Sequence, residues 1–167
     1  FAAASSAGDL RRAKLLASDP GLRHRREAFA RVPSEVNGTG AAVARLVTHL
    51  LSLIAEAAKP MEQRHVDELA ELERQQTEFG DRGGKKALQD EQKRELRRHR
   101  ADELKAGLAA IVSTYRDAIV ATPNSPSNNA YITAIHAIHK AIGVIDLNVN
   151  ETLLLQALFL KLPQLNA

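Results

Sequence analysis

Asn148-Val149-Asn150-Glu151-Thr152-Leu153-Leu154-Leu155-Gln156-Ala157-Leu158-Phe159-Leu160-Lys161-Leu162-Pro163 sets leucine or phenylalanine on nearly every side of one helix. A surface helix buries a single apolar stripe, so a helix that is apolar around most of its girth has to be wrapped by other helices. Just upstream, Ile132, Ile135, Ile138, Ile142 and Ile145 recur at helical spacing. Between Asn128 and Leu160 only three side chains carry a formal charge: Lys140, Asp146 and Glu151. The wrapping is expected to come from this chain or from partner subunits. On that reading the partner-binding residues are Ile135, Ile138, Ile142, Leu154, Leu155, Leu158 and Phe159. Asn148 is the expected N-cap of the leucine helix, with Glu151 reaching back in a capping box.

Working outward, Val43, Val47, Leu50 and Ile54 form a stripe at intervals of four, three and four, and Leu104, Leu108, Ile111, Tyr115 and Ile119 form another. Both predict long amphipathic helices. Pro60 is expected to kink or split the first of them, because it lacks a backbone donor and clashes with the preceding turn. Glu62 to Arg74 is net acidic, Lys85 to Arg100 is net basic, and Gly80-Asp81-Arg82-Gly83-Gly84 joins them. That arrangement predicts an antiparallel helical hairpin with opposite charges facing, around residues 62–100. Ahead of it lie a short basic helix, Gly21 to Val32, and a loop, Pro33 to Gly40. With aromatics at 4%, no alternating strand pattern, and abundant Ala, Leu, Glu and Arg, the fold class is all-α, a helical bundle.

Catalytic chemistry finds little support in these residues. No serine sits in a Gly-x-Ser-x-Gly elbow, and Gly83-Gly84-Lys85-Lys86 lacks the first glycine and the hydroxyl residue of a phosphate loop. His136 and His139 share a helical face but have no Asp, Glu or Cys one turn away, so no metal site is expected. There is no cysteine, which excludes disulfides and thiolate metal sites. The stretch Leu46 to Ala58, interrupted by His49, Ser52 and Glu56, reads as too short to span a bilayer. The net charge of +3 argues only weakly for nucleic acid. Two basic clusters nonetheless offer candidate phosphate contacts: Arg23, Arg25 and Arg26, and Arg94, Arg97 and Arg98. Aromatic side chains that would stack bases are missing from the second cluster, and only Phe29 is near the first.

Three stretches carry a family resemblance: Ser6-Ala7-Gly8-Asp9-Leu10-Arg11-Arg12-Ala13, the run from Arg94-Glu95-Leu96-Arg97-Arg98 to Tyr115-Arg116-Asp117, and the Asn-x-Asn-Glu-x-Leu-Leu-Leu segment at Asn148. Together they resemble the C-terminal region of the delta-prime family of bacterial DNA polymerase III clamp-loader subunits, of the actinobacterial type. The resemblance implies that residues 1–20 end an AAA+ lid subdomain and that 21–167 form a helical collar domain. It puts Arg11 at the position called sensor 2, with a structural role in the absence of a nucleotide-binding half. It further implies a cytoplasmic replisome scaffold with gamma/tau and delta subunits as partners. Primer–template DNA would be met only through the whole complex, with no cofactor, no small-molecule substrate and no catalytic site in this chain. A helical module that binds nucleic acid through its basic clusters is the rival reading.

Overall fold

The apolar stripes close a bundle of helices. The computed structural model describes residues 21–79 and 84–165. In chain order they form α1 (Leu22–Glu35), α2 (Gly40–Phe79), α3 (Lys85–Ala121), α4 (Asn128–Val144), a 3-10 turn (Ile145–Leu147) and α5 (Glu151–Phe159). The chain is all-α, with no strand among the described residues. The stretch implied to be a lid remnant, with Arg11, lies outside the described residues, as does the hairpin turn at 80–83.

Helix α3 occupies the middle of the bundle, packed by α1, α2 and α4, and α5 lies across α2 and α4. The stripe residues meet there: Val43, Val47, Leu50 and Ile54 from α2 against Leu104, Leu108, Ile111 and Tyr115 from α3, all buried. Phe29 of α1 lies flat on α3 where residue 107 is glycine; a Cβ at that position would sit 2.7 Å from three carbons of the Phe29 ring. Helix α1 can approach so closely only because Gly107 has no side chain. Tyr115 stacks at a tilt on Tyr131 with ring centroids 5.4 Å apart. Its hydroxyl donates to the Pro163 carbonyl at 2.6 Å, which ties the segment after α5 to the core.

Local chemistry explains the helix ends. Gly38 takes a positive φ of 75°, and Asn37 Oδ1 accepts from Thr39 N at 3.1 Å, turning the chain into α2. The N-cap of α5 is Asn150, whose side chain accepts from Leu153 N at 3.1 Å, and not Asn148. Asn148 adopts a left-handed conformation with φ 57°, a geometry asparagine tolerates better than most residues, and so turns the chain before the cap. Glu151 does not reach back; its carboxylate takes the Arg100 guanidinium instead.

Two prolines expected to break structure do not. Helix α1 extends through Pro33 to Glu35, where the sequence predicts a loop. Pro33 falls in the last turn, and two of the carbonyls left over there find donors in the returning chain. Leu165 N binds the Pro33 carbonyl at 2.7 Å and the Gln164 amide binds the Ser34 carbonyl at 3.3 Å. Helix α2 runs for 40 residues as one element through Pro60. Pro60 and Glu56 are exposed, so water can reach the carbonyl that loses its helical donor.

By length and composition α2 is the one described helix apolar enough to cross a bilayer, a longer apolar window than Leu46 to Ala58. Its apolar stripe, however, is buried in the bundle, while Arg45, His49, Ser52 and Glu56 line the opposite, exposed side. That pattern is amphipathic.

Candidate functional site

From Ala55 to Glu78 no apolar residue of α2 is fully buried, yet the helix continues past Ile54 for about 37 Å at 1.5 Å per residue. It does so against the first half of α3, forming the hairpin expected from the charge pattern. The seam of this arm has an unusual composition. On α2 it is lined by Met61, His65, Leu69, Leu72 and Gln76, and on α3 by Leu88, Gln92, Leu96, His99 and Glu103. Among these, His65, Gln92 and Glu103 are the buried ones.

His65, Gln92 and Glu103 each have a partner, as a closed environment requires, whereas the enclosed Nε2 of His99 has none among the described residues. His65 Nε2 lies 2.8 Å from Glu95 Oε2, and Arg64 donates to the same oxygen at 2.6 Å. Gln92 donates to the His65 carbonyl at 3.1 Å and to Glu68 at 3.0 Å. The Arg64 hydrogen bond, followed by that of His65, holds the Glu95 carboxyl below the ordinary carboxylate range. The same bond raises Arg64 above its usual value. Nearer the turn, Lys85 binds Glu73 at 2.6 Å.

The expectation of an acidic α2 arm facing a basic α3 arm is therefore half met. Lys85–Glu73 has the expected sense, whereas in Arg64–Glu95 the cation belongs to α2 and the anion to α3. Net charge along a helix does not report which residues turn toward the seam. Exposed pairs of this kind contribute about 0.2–1 kcal/mol each, so specificity of register is their main effect.

A second charged cluster sits where the arm joins the bundle. Arg25 Nε donates to Glu103 Oε2 at 2.9 Å, both side chains being almost completely enclosed. Arg26 approaches the same residue, with Nη1 donating to the Glu103 carbonyl at 3.5 Å. These two arginines, expected as phosphate contacts, are thus part of the packing of α1 on α3 and are out of reach of nucleic acid. Only Arg23 of that cluster is exposed, and it pairs with Glu27 one turn on at 3.0 Å. Arg94, Arg97 and Arg98 are all exposed on α3.

The expected partner-binding residues divide in the same way. Ile138, Leu155, Leu158 and Phe159 are buried inside this chain's own core, and Ile135, Ile142 and Leu154 are half-buried against it. On α5 and its C-cap the large apolar side chains left outside are Leu153 (62% exposed) and Leu160 (47%), with exposed Ala157 between them on one face. Leu147, in the turn before α5, is 72% exposed. Wrapping of the terminal helix within the chain is therefore incomplete.

No group of three or more His, Asp or Glu side chains among the described residues is placed to hold a metal ion. His136 and His139 both face solvent. The open groove along the arm is lined by three arginines, Arg64, Arg94 and Arg98, and three glutamates, Glu68, Glu91 and Glu95, with Leu88 and Gln92 between them.

Sequence reasoning missed His65, Gln92 and Glu103. The signal that could have found them is the interval pattern of four, four, three and four shared by Met61, His65, Leu69, Leu72, Gln76 and by Leu88, Gln92, Leu96, His99, Glu103. No family model, no curated protein and no solved structure matches this chain.

Proposed function

We propose that this chain is a helical assembly module, the collar domain of a clamp-loader subunit of the delta-prime type. In this role it packs beside gamma/tau and delta collar domains to support loading of the sliding clamp in bacterial replication. It acts as a scaffold in the replisome, with no catalytic step of its own. The observation that carries the reading is the outward face of α5. Leu153, Ala157 and Leu160 stand exposed on a helix whose Asn148-x-Asn150-Glu151-x-Leu153-Leu154-Leu155 opening is the strongest of the three resemblances. A helix buried on one side and apolar on the other is suited to a second layer of helices supplied by a neighbour. The all-α architecture, with α5 laid across α2 and α4, leaves that face at the bundle's surface.

The test is to mix the chain with gamma/tau and delta collar fragments and measure complex mass by light scattering, for the wild type and for Leu153→Asp/Leu160→Asp. The exposed positions tolerate charge, so the variant keeps the wild-type melting temperature and loses assembly. Unchanged assembly by the folded variant, or no complex with the wild type, would refute the reading.

A further inference from the structure

Along the arm, the exposed side chains are mainly basic on α3 and mainly acidic on α2. On α3, Lys86, Lys93, Arg94, Arg97 and Arg98 are all exposed; by helical spacing each is about 100° or more from Gln92, with half-buried Asp90 among them, and Arg94 and Arg98 also border the groove. None of the five makes an ion pair or side-chain hydrogen bond among the described residues. Lys93 and Arg97, and Arg94 and Arg98, are like-charge pairs one turn apart, an arrangement that disfavours the isolated helix. The strip from Lys86 to Arg98 is about 18 Å long at 1.5 Å per residue. On the far side of α2, exposed Asp67, Glu71 and Glu78 make the opposite edge predominantly acidic. The two edges stand about 20 Å apart, given packed helices whose side chains point outward. That distance exceeds the Debye length of about 8 Å at physiological salt, so the acidic edge of α2 does not cancel the basic one; Asp90 and Glu91 on α3 itself lower the charge of the strip without reversing it.

Three kinds of partner compete for such a strip. A lipid surface needs an apolar face to insert, and alanines, Ala87 and Ala101, are all that this side of α3 offers. A second copy could present its acidic α2 edge, but exposed ion pairs are too weak to offset the freedom lost on association. A nucleic-acid backbone differs, because each neutralised phosphate releases condensed counterions. With no aromatic side chain on α3 before Tyr115, the strip has nothing to stack on bases. We propose that the outer edge of α3 in the arm is a sequence-independent docking strip for the phosphate backbone of a nucleic-acid duplex. The strip is independent of the collar reading, since it uses none of the α5 face and depends on no partner subunit.

The experiment measures binding of the full chain to two fluorescent DNA duplexes of unrelated sequence, by anisotropy over a series of salt concentrations. The wild type binds both alike, with a log–log salt slope of about −4 for four to five neutralised phosphates. Arg94→Gln/Arg97→Gln/Arg98→Gln lowers affinity at least tenfold and flattens the slope by about three, one for each lost phosphate contact. Arg23→Gln, off the arm, changes neither. All of these positions are exposed, so the melting temperature serves as the check that the variants fold. The proposal is overturned if the wild type does not bind duplex at low salt, or if the folded triple variant keeps the wild-type slope. It is equally overturned if a polyglutamate peptide binds the strip and duplex does not, which would point to an acidic protein. Self-association that the triple variant abolishes, without duplex binding, would point to a second copy instead.

Discussion

Gly107→Ala tests the tightest contact in the bundle. The added methyl would lie 2.7 Å from three carbons of the Phe29 ring, against a relaxed carbon–carbon separation of about 3.5–4.0 Å. Phe29 is 1% exposed, so the ring has no open space into which to retreat. Either α1 lifts from α3 or the ring leaves its rotamer, an overpacking penalty of about 3 kcal/mol at the upper end of its usual range. Replacing a helical glycine by alanine returns about 1 kcal/mol of propensity. The net loss is about 2 kcal/mol, or a melting temperature lower by about 6 °C for a chain of this size. Gly143→Ala supplies the contrast: it lies in α4, and a methyl added there would meet nothing within 4 Å. It should gain about 0.4–1 kcal/mol and melt a few degrees higher. The assay is thermal and urea denaturation of both variants, with Gly107→Ala/Phe29→Leu to measure coupling. The smaller leucine should recover part of the loss, giving a coupling energy of about 1 kcal/mol or more. Gly107→Ala as stable as Gly143→Ala would mean that Phe29 does not rest on α3, and the reasoning would fail.

Glu103→Gln removes the anion from a buried cluster containing Arg25 and Arg26 and should cost about 3–5 kcal/mol in urea denaturation; wild-type stability would show that the arginines do not depend on it. Tyr115→Phe deletes the bond to the Pro163 carbonyl and should cost about 1–2 kcal/mol at neutral pH, read from the urea midpoint. Burial pushes the Tyr115 phenol up, so the folded chain keeps a proton that the unfolded chain releases near pH 10. The contribution of Tyr115 is therefore present below about pH 10 and lost as the pH rises further. The wild type should lose its advantage over Tyr115→Phe in that window, and a constant gap up to about pH 11 would contradict the assignment.

The bundle was legible where the spacing named one face. Val43, Val47, Leu50 and Ile54 show a single stripe, and burial follows it. The terminal helix was harder because its apolar residues point several ways. Leu153, Leu154 and Leu155 differ by steps of about 100°, and only the positions of α2 and α4 decide that Leu155 is inside and Leu153 outside. Arg25 and Arg26 were illegible for a related reason. Their partner Glu103 is 78 residues from Arg25 in sequence, and a basic run looks solvated until a distant carboxylate is brought to it. His65 carries no signal of its own in the sequence, because the seam pattern is hidden under net charge. Pro60 failed as a breaker because the lost hydrogen bond falls on a wet side of α2, where it costs least.

The tie between the end of α1 and the segment after α5 has a kinetic consequence. The Gln164–Ser34 hydrogen bond joins residues 130 apart in sequence, and Leu165 N reaches Pro33 across a similar span. Closing a loop of that length costs about 4 kcal/mol of chain entropy before any contact offsets it. Local helices and the α2–α3 pairing carry no such cost, so they should form first, with the end of α1 locked last. During synthesis at about 5–20 residues per second, the last turn of α1 would wait roughly ten seconds for its donors to be made. For that interval Pro33 and Ser34 offer open carbonyls to water, to a chaperone or to another nascent chain.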